Sequence, residues 1–207
     1  MRSEPGGGLA HVSRETRERL EIYAALLRKW NPRINLVARS TLDDLWTRHF
    51  EDSAQILDLA GPNPSGLWAD LGSGGGFPGA VVAILAAARA SNLSVACVES
   101  DQRKAAFLRT VSRETSVPFQ ILNARSEALP PLAATILSAR ALASLVELLF
   151  HAERHLAPGG TALFPKGVKY ADELREAQNR WRFDCETATS STDPNAVILK
   201  IGAVHRA

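Results

Sequence analysis

The chain has 207 residues, 45% hydrophobic and 22% charged, with a formal net charge of +2. That is long enough to bury a full core and short enough for one compact unit with an appendage, and so near-neutral a balance does not by itself announce a nucleic-acid binder. No apolar stretch approaches the roughly 20 residues that span a bilayer, and Arg2, Glu4 and a glycine run stand where a leader would carry its apolar core, so a cytoplasmic protein away from membranes is expected. The two cysteines, Cys97 and Cys185, have neither zinc-ligand spacing nor the density of a disulfide scaffold, and read as buried thiols with no metal.

In chain order, residues 1–12 are polar and glycine-rich, and are expected to form a disordered arm. From Ser13, which suits an N-cap, Leu20, Tyr23, Ala24, Leu27 and Trp30 recur at spacings of three and four, which predicts a helix that ends at Asn31-Pro32. A second helix is predicted from Thr41 to Ala60, with Asp43 and Asp44 in its first turn where they complement the dipole. Together these form an N-terminal helical region, 13–62. Over 63–207 strands alternate with helices, the pattern of an α/β fold with a mostly parallel, Rossmann-like sheet. The predicted strands cover 67–71, 94–99, 119–122, 135–139 and 161–165, with helices around 80–90, 103–115, 142–156 and 171–181. Two last strands, 183–187 and 196–201, flank a turn-rich segment and form an antiparallel C-terminal hairpin.

The segment Asp70-Leu71-Gly72-Ser73-Gly74-Gly75-Gly76-Phe77-Pro78-Gly79 follows the first strand and opens a helix. Its missing Cβ atoms allow a tight turn and close approach of a ligand at the carboxyl end of a parallel strand. Read from Gly74, the turn fits a dinucleotide fingerprint; read from Asp70, it fits the turn that binds S-adenosylmethionine. In both readings Glu99 holds ribose hydroxyls. A dinucleotide site needs a second mononucleotide-binding half or a substrate domain, and the hairpin here favours S-adenosylmethionine.

The remaining motifs are Lys29-Trp30-Asn31 with Asn35-Leu36, Arg48-His49 with Asp52-Ser53, Phe77-Pro78-Gly79, Arg103-Lys104 with Phe107-Leu108-Arg109, Arg125 with Glu127, Arg140-Ala141 with Ala143-Ser144-Leu145, and Lys166-Gly167. In this order the set resembles the bacterial small-subunit rRNA guanine-N7 methyltransferases, also called the glucose-inhibited division protein B family. Thr135 at the fourth strand and Val37 after Asn35-Leu36 depart from the family's acidic residue and threonine. The resemblance implies a class I methyltransferase fold and transfer of a methyl group from S-adenosylmethionine to N7 of a guanine in the decoding-centre loop of 16S rRNA. By the same resemblance Gly72 and Phe77 line the methionine side of the cofactor, Gly74 also binds it, Ser126 and Glu127 border its adenine, and Arg140 completes the pocket beside the reacting centre.

Guanine N7 carries an exposed in-plane lone pair, so the chemistry needs approach geometry and desolvation and no general base. Consistently, Ser138-Ala139-Arg140-Ala141 follows the fourth strand in place of the Asn-Pro-Pro-aromatic or Pro-Cys motifs of amine and pyrimidine methylation. Arg140 suits the guanine edge and phosphate, or else pairs with Glu127 or another carboxylate to brace the loop. Arg48 and His49 face RNA or cofactor, or pack within their helix; Asp52 reads as their fixing partner. Arg109, with Arg103, Lys104 and Arg113 on the same helix, and Lys166 after the fifth strand are candidate phosphate contacts, against the plainer reading of a solvated face. The partners expected are 16S rRNA or the small ribosomal subunit, with the protein itself a monomer. A methyltransferase for another RNA, a protein or a small molecule is the alternative, and a cofactor-binding module without turnover a third.

Overall fold

The computed structural model describes residues 9–89 and 92–207. Helix α1 spans Arg14–Ile34, capped by Ser13, whose side chain accepts from the Thr16 N–H. It continues through Pro32, three residues past the stop that Asn31-Pro32 predicts. A proline in the last turn removes only one bond, and the helix ends instead at Asn35, whose φ of 47° is left-handed and whose N–H bonds the Asn31 carbonyl. The Asn31 carboxamide then accepts from the N–H groups of Leu36 and Val37 at 2.7 and 2.9 Å, fixing the exit of the chain.

The single helix expected over 41–60 is broken into three pieces. A short turn, Arg39–Thr41, is followed by the π-helical turn Trp46–Glu51 and then by α2, Asp52–Leu59. The Thr41 hydroxyl bonds the Ala38 carbonyl and the His49 ring, so it caps no helix, and Asp43 and Asp44 lie exposed outside one.

The strands are β1 (Gly66–Leu71), β2 (Leu93–Val98), β3 (Gln120–Leu122), β4 (Ala134–Ala139), β5 (Leu156–Lys166), β6 (Trp181–Thr189) and β7 (Val197–Arg206). Helices α3 (Gly79–Ala88), α4 (Gln102–Glu114), α5 (Leu145–His155) and α6 (Tyr170–Gln178) alternate with them. One sheet results, in the order β3-β2-β1-β4-β5-β7-β6, parallel except for β7. The order reverses between β1 and β4, which opens a crevice at their carboxyl ends, the place where open α/β sheets bind ligands.

One core packs α1, α3 and α4 on one face of the sheet; the second packs α5 on the other. Helix α3 is buried nearly all round, as its unbroken run of Ala, Val, Ile and Leu demands. Helix α5 starts three residues later than the expected 142, because Ala141 takes a left-handed φ of 52° and Ser144 forms a capping box with Glu147. Trp181, expected at the end of α6, opens β6. Of the expected arm, residues 1–8 lie outside the described residues, while Leu9 packs into the core. Cys97 is buried in β2, but Cys185 is exposed, because β6 is the outer strand of the hairpin and offers one side to solvent. No helix among the described residues is long and apolar enough to cross a membrane.

Candidate active site

The glycine turn lies between β1 and α3. Gly72, Gly74 and Gly76 have φ of 64°, 56° and 93°, a region that costs residues with a Cβ dearly. A Cβ on Gly76 would stand 2.9 Å from that of Ala80 and still nearer the Tyr23 hydroxyl, so the helices leave room for hydrogen only. Tyr23 of α1 is fully buried; its hydroxyl donates to the Gly75 carbonyl, and its ring stacks on Phe77 at 5.5 Å. Tyr23→Phe, which removes this bond, is expected to lower stability by about 1–2 kcal/mol in urea denaturation.

Asp70, next to last in β1, has no exposed surface. Its carboxylate accepts from the Ser138 hydroxyl at 2.7 Å and the Gly79 N–H at 3.2 Å, while the Trp68 indole donates to the same hydroxyl at 2.8 Å. Burial pushes its pKa up to about 6, against these hydrogen bonds. Between about pH 4 and 6 the folded protein therefore holds a proton that the unfolded chain has released, and this group costs stability as pH rises. His49, His151 and His155 act the other way: burial lowers all three, His49 to about 4, so they add stability as pH rises towards the ordinary histidine value. Asp70→Asn is expected to steepen the rise of stability between pH 4.5 and 6, measured by denaturation at several pH values; an unchanged slope would refute this ionisation.

Glu99 follows β2 and is buried. One carboxylate oxygen accepts from the Gly74 N–H at 2.8 Å and the other from the Asp101 N–H at 2.7 Å. Each oxygen keeps acceptor capacity for a hydroxyl, as a ribose site requires. Ser126 and Glu127 lie on a short turn after β3 and line a cavity of about 330 Å³ with Leu142, Phe150 and His151. Glu127 faces His151 at 3.7 Å and does not pair with Arg140.

Arg140, at the end of β4, reaches the other way. One terminal nitrogen donates to Asp52 Oδ2 at 3.0 Å and to the Arg48 carbonyl at 3.3 Å; the other approaches His49 Nδ1 at 2.9 Å. Since a guanidinium only donates, His49 Nδ1 accepts, and its proton sits on Nε2, which donates to Thr41 Oγ1 at 2.8 Å. The His49 pKa of about 4, set by burial and then by the Arg140 charge, agrees with a neutral ring. Arg140 also lies 5.0 Å over the Phe77 ring, which ties it to the glycine turn. Three of its five N–H donors are thus engaged, and two remain for a ligand.

These groups line a groove of about 680 Å³, with Leu142 as part of its wall. Leu142 lines the Ser126–Glu127 cavity as well, so the two cavities meet at this side chain, beside Gly72. Arg48 stands at the groove's rim, half exposed, 3.5 Å from Asp193. Lys166 lines the groove too, but its ammonium is 8% exposed and bound to Glu173 at 2.7 Å and to the Ala143 carbonyl at 3.0 Å. Arg109 is exposed on α4 and is not brought to the groove. Sequence reasoning gave no site role to Tyr23, Thr41, Leu142 or the β6–β7 turn; the first three carried only helix signals, and the last only a turn signal.

Residues 16–196 match the family described as "GidB: rRNA small subunit methyltransferase G". A ribosomal RNA small subunit methyltransferase G of Ruegeria pomeroyi is 55% identical over 203 residues, 98% of each chain, and one of Paracoccus denitrificans is 52% identical over 95% of this chain and 99% of that one. The chain belongs to this family. Among solved structures, the ribosomal protein L11 methylase of Lactobacillus delbrueckii subsp. bulgaricus superposes with a TM-score of 0.60 at 15% identity, over 75% of this chain and 78% of that one. A methyltransferase of Aquifex aeolicus dependent on S-adenosylmethionine gives 0.58 at 11% identity, over 86% and 97%. These likenesses show the fold: a class I methyltransferase sheet. The protein is therefore a methyltransferase, and S-adenosylmethionine is its cofactor.

Proposed function

We propose that this GidB protein transfers the methyl group of S-adenosylmethionine to N7 of a guanine in the decoding-centre loop of 16S rRNA. The observation that carries this reading is the junction at Leu142, beside Gly72 of the glycine turn, where the Ser126–Glu127 cavity meets a groove held by Arg140, His49 and Asp52. The residues fit the cofactor: the buried carboxylate of Glu99 suits ribose hydroxyls, and a Cβ on Gly74 would meet nothing nearer than the Gly72 carbonyl at 3.7 Å, so that face of the turn is open to a ligand. Ser126 and Glu127 border its adenine in this assignment, and Gly72 and Phe77 its methionine end. When bound, the cofactor supplies an electrophilic sulfonium methyl group.

The chain's own part is positioning. No proton has to leave guanine before N7 attacks, and the groove is organised accordingly: His49 is neutral with its Nδ1 lone pair already engaged by Arg140, so it is not poised as a base. Asp52 is likewise occupied by Arg140 and by the Thr192 hydroxyl. The two free N–H groups of Arg140 can hold guanine O6 or a neighbouring phosphate, leaving the N7 lone pair clear. Arg48 at the rim is the phosphate contact, and Lys166 braces the loop after β4 through Ala143.

Incubation with methyl-labelled S-adenosylmethionine and small ribosomal subunits that lack the modification should place label in the rRNA fraction. Label in protein or in small molecules alone would move the assignment to another acceptor.

A further inference from the structure

The turn between β6 and β7 walls the acceptor groove through Thr192, Asp193 and Ala196, and the same turn walls a neighbouring cavity of about 530 Å³ through Ser191 and Thr192. The β6–β7 ladder ends at Thr189 and Val197; beyond it the backbone closes the turn only through the Ser190 N–H to the Ala196 carbonyl at 2.9 Å and the Ala196 N–H to the Asp193 carbonyl at 3.0 Å, which leaves Ser191 and Thr192 to side-chain contacts. One side chain of α2 does much of that work. Gln55 Oε1 accepts from the Ser191 N–H at 2.8 Å and from the Ser191 hydroxyl at 3.0 Å. Its Nε2 donates to Ser190 Oγ at 3.0 Å, to Asp52 Oδ1 at 3.0 Å and, at 3.4 Å, to Thr192 Oγ1. Thr192 in turn donates to Asp52 Oδ1 at 2.9 Å, and the other Asp52 oxygen holds Arg140. A continuous path thus runs from the turn through Gln55 and Asp52 to the arginine in the groove. Asp193 of the same turn faces Arg48 at the rim.

We propose that Gln55 is a positioning residue that sets the β6–β7 turn as the acceptor-selecting wall of the groove, acting on recognition of the RNA and not on the cofactor. Only a carboxamide fits the position: the turn presents two donors to one end of the side chain, and hydroxyl oxygens and a carboxylate to the other. None of its partners belongs to the glycine turn, to Glu99 or to the Ser126–Glu127 turn. Cofactor binding should therefore be indifferent to it. The inference rests on the rRNA methyltransferase reading above.

The test compares wild type, Gln55→Ala, Thr192→Val and the double variant in steady-state methylation of unmodified small subunits, with cofactor affinity measured by calorimetry and amide exchange followed at Ser191. The expected result for Gln55→Ala is a rise in KM for the subunit of about tenfold, the scale of one or two lost hydrogen bonds, with kcat and cofactor affinity within about twofold and faster exchange at Ser191. Because both residues act through one turn, the double variant should cost less than the product of the single effects. Thr192→Val, which removes the hydroxyl that joins the turn to Asp52, Gln55 and Ser190, gives the same KM-selective signature if Gln55→Ala does not fold. An unchanged KM in either folded variant, an equal fall in kcat or cofactor affinity, or strictly multiplicative effects would overturn the proposal. A wild-type protein that binds the cofactor yet methylates no subunit would instead sink the rRNA reading.

Discussion

Arg140→Ala is expected to slow methyl transfer to small subunits by a factor on the order of 100, the scale attached to a misplaced reacting group. Arg140 joins three groups from Arg48, His49 and Asp52 to the end of β4 and lies over Phe77. Removing it leaves the Asp52 carboxylate, 20% exposed, without its cation, and a loss of about 1–3 kcal/mol in stability should accompany the kinetic effect. His49 reports on the change. Burial remains the first cause of its low pKa and the Arg140 charge is the second, so in the variant its titration, followed by NMR, should move up from about 4 without reaching the ordinary value. Arg140→Lys separates charge from geometry: an ammonium keeps the His49 pKa low but cannot span the same partners as a planar fork, so the slow rate should persist. Full activity in either folded variant would refute the role given to the guanidinium.

Gly72→Val is expected to weaken S-adenosylmethionine binding beyond detection in calorimetry, with the fold retained. Two costs combine. The backbone at Gly72 has φ of 64°, which a β-branched residue adopts only under strain, and its Cβ would stand 2.6 Å from Leu142 Cδ1. Leu142 ends a flexible side chain and can yield, but the new methyl groups then occupy the place where the two cavities meet. Gly72→Ala carries the strain with a smaller obstruction, and should fall between the wild type and the valine variant. Normal affinity in the valine variant would remove the cofactor from this turn.

The sheet was legible because its apolar runs are bounded by glycine, proline or capping residues. β1, β2 and β4 lie within a residue of the expected bounds. Strand order was not, since pairing such as that of β1 with β4 joins residues far apart in the chain. Local punctuation misled twice: Pro32 sits where a helix tolerates it, and the Thr41 hydroxyl serves His49 instead of a helix N-terminus.

In the site, the glycine turn and Glu99 could be read from spacing, because a parallel strand, a turn without side chains and an acidic residue form a local grammar. The groove could not. Arg140 meets Asp52 across 88 positions and Gln55 meets Ser191 across 136, and no periodicity records such contacts. Sequence reasoning treated Asp52 as a fixing partner for Arg48 and His49, and offered Glu127 or another carboxylate as the brace for Arg140; that carboxylate is Asp52. The Arg140 side chain reaches Asp52 and His49, while Glu127 faces His151. Lys166 shows the limit of counting charges, for a lysine at the groove is already neutralised by Glu173.

The most direct test of the central claim is to map the methyl group at atomic level on small subunits methylated by the purified protein, using strand cleavage specific for N7-methylguanosine. The account predicts one new cleavage, in the decoding-centre loop, absent without S-adenosylmethionine and strongly reduced with Arg140→Ala. Label incorporated into the rRNA without that cleavage would place the methyl on another atom and contradict a groove built for an unprotonated ring nitrogen.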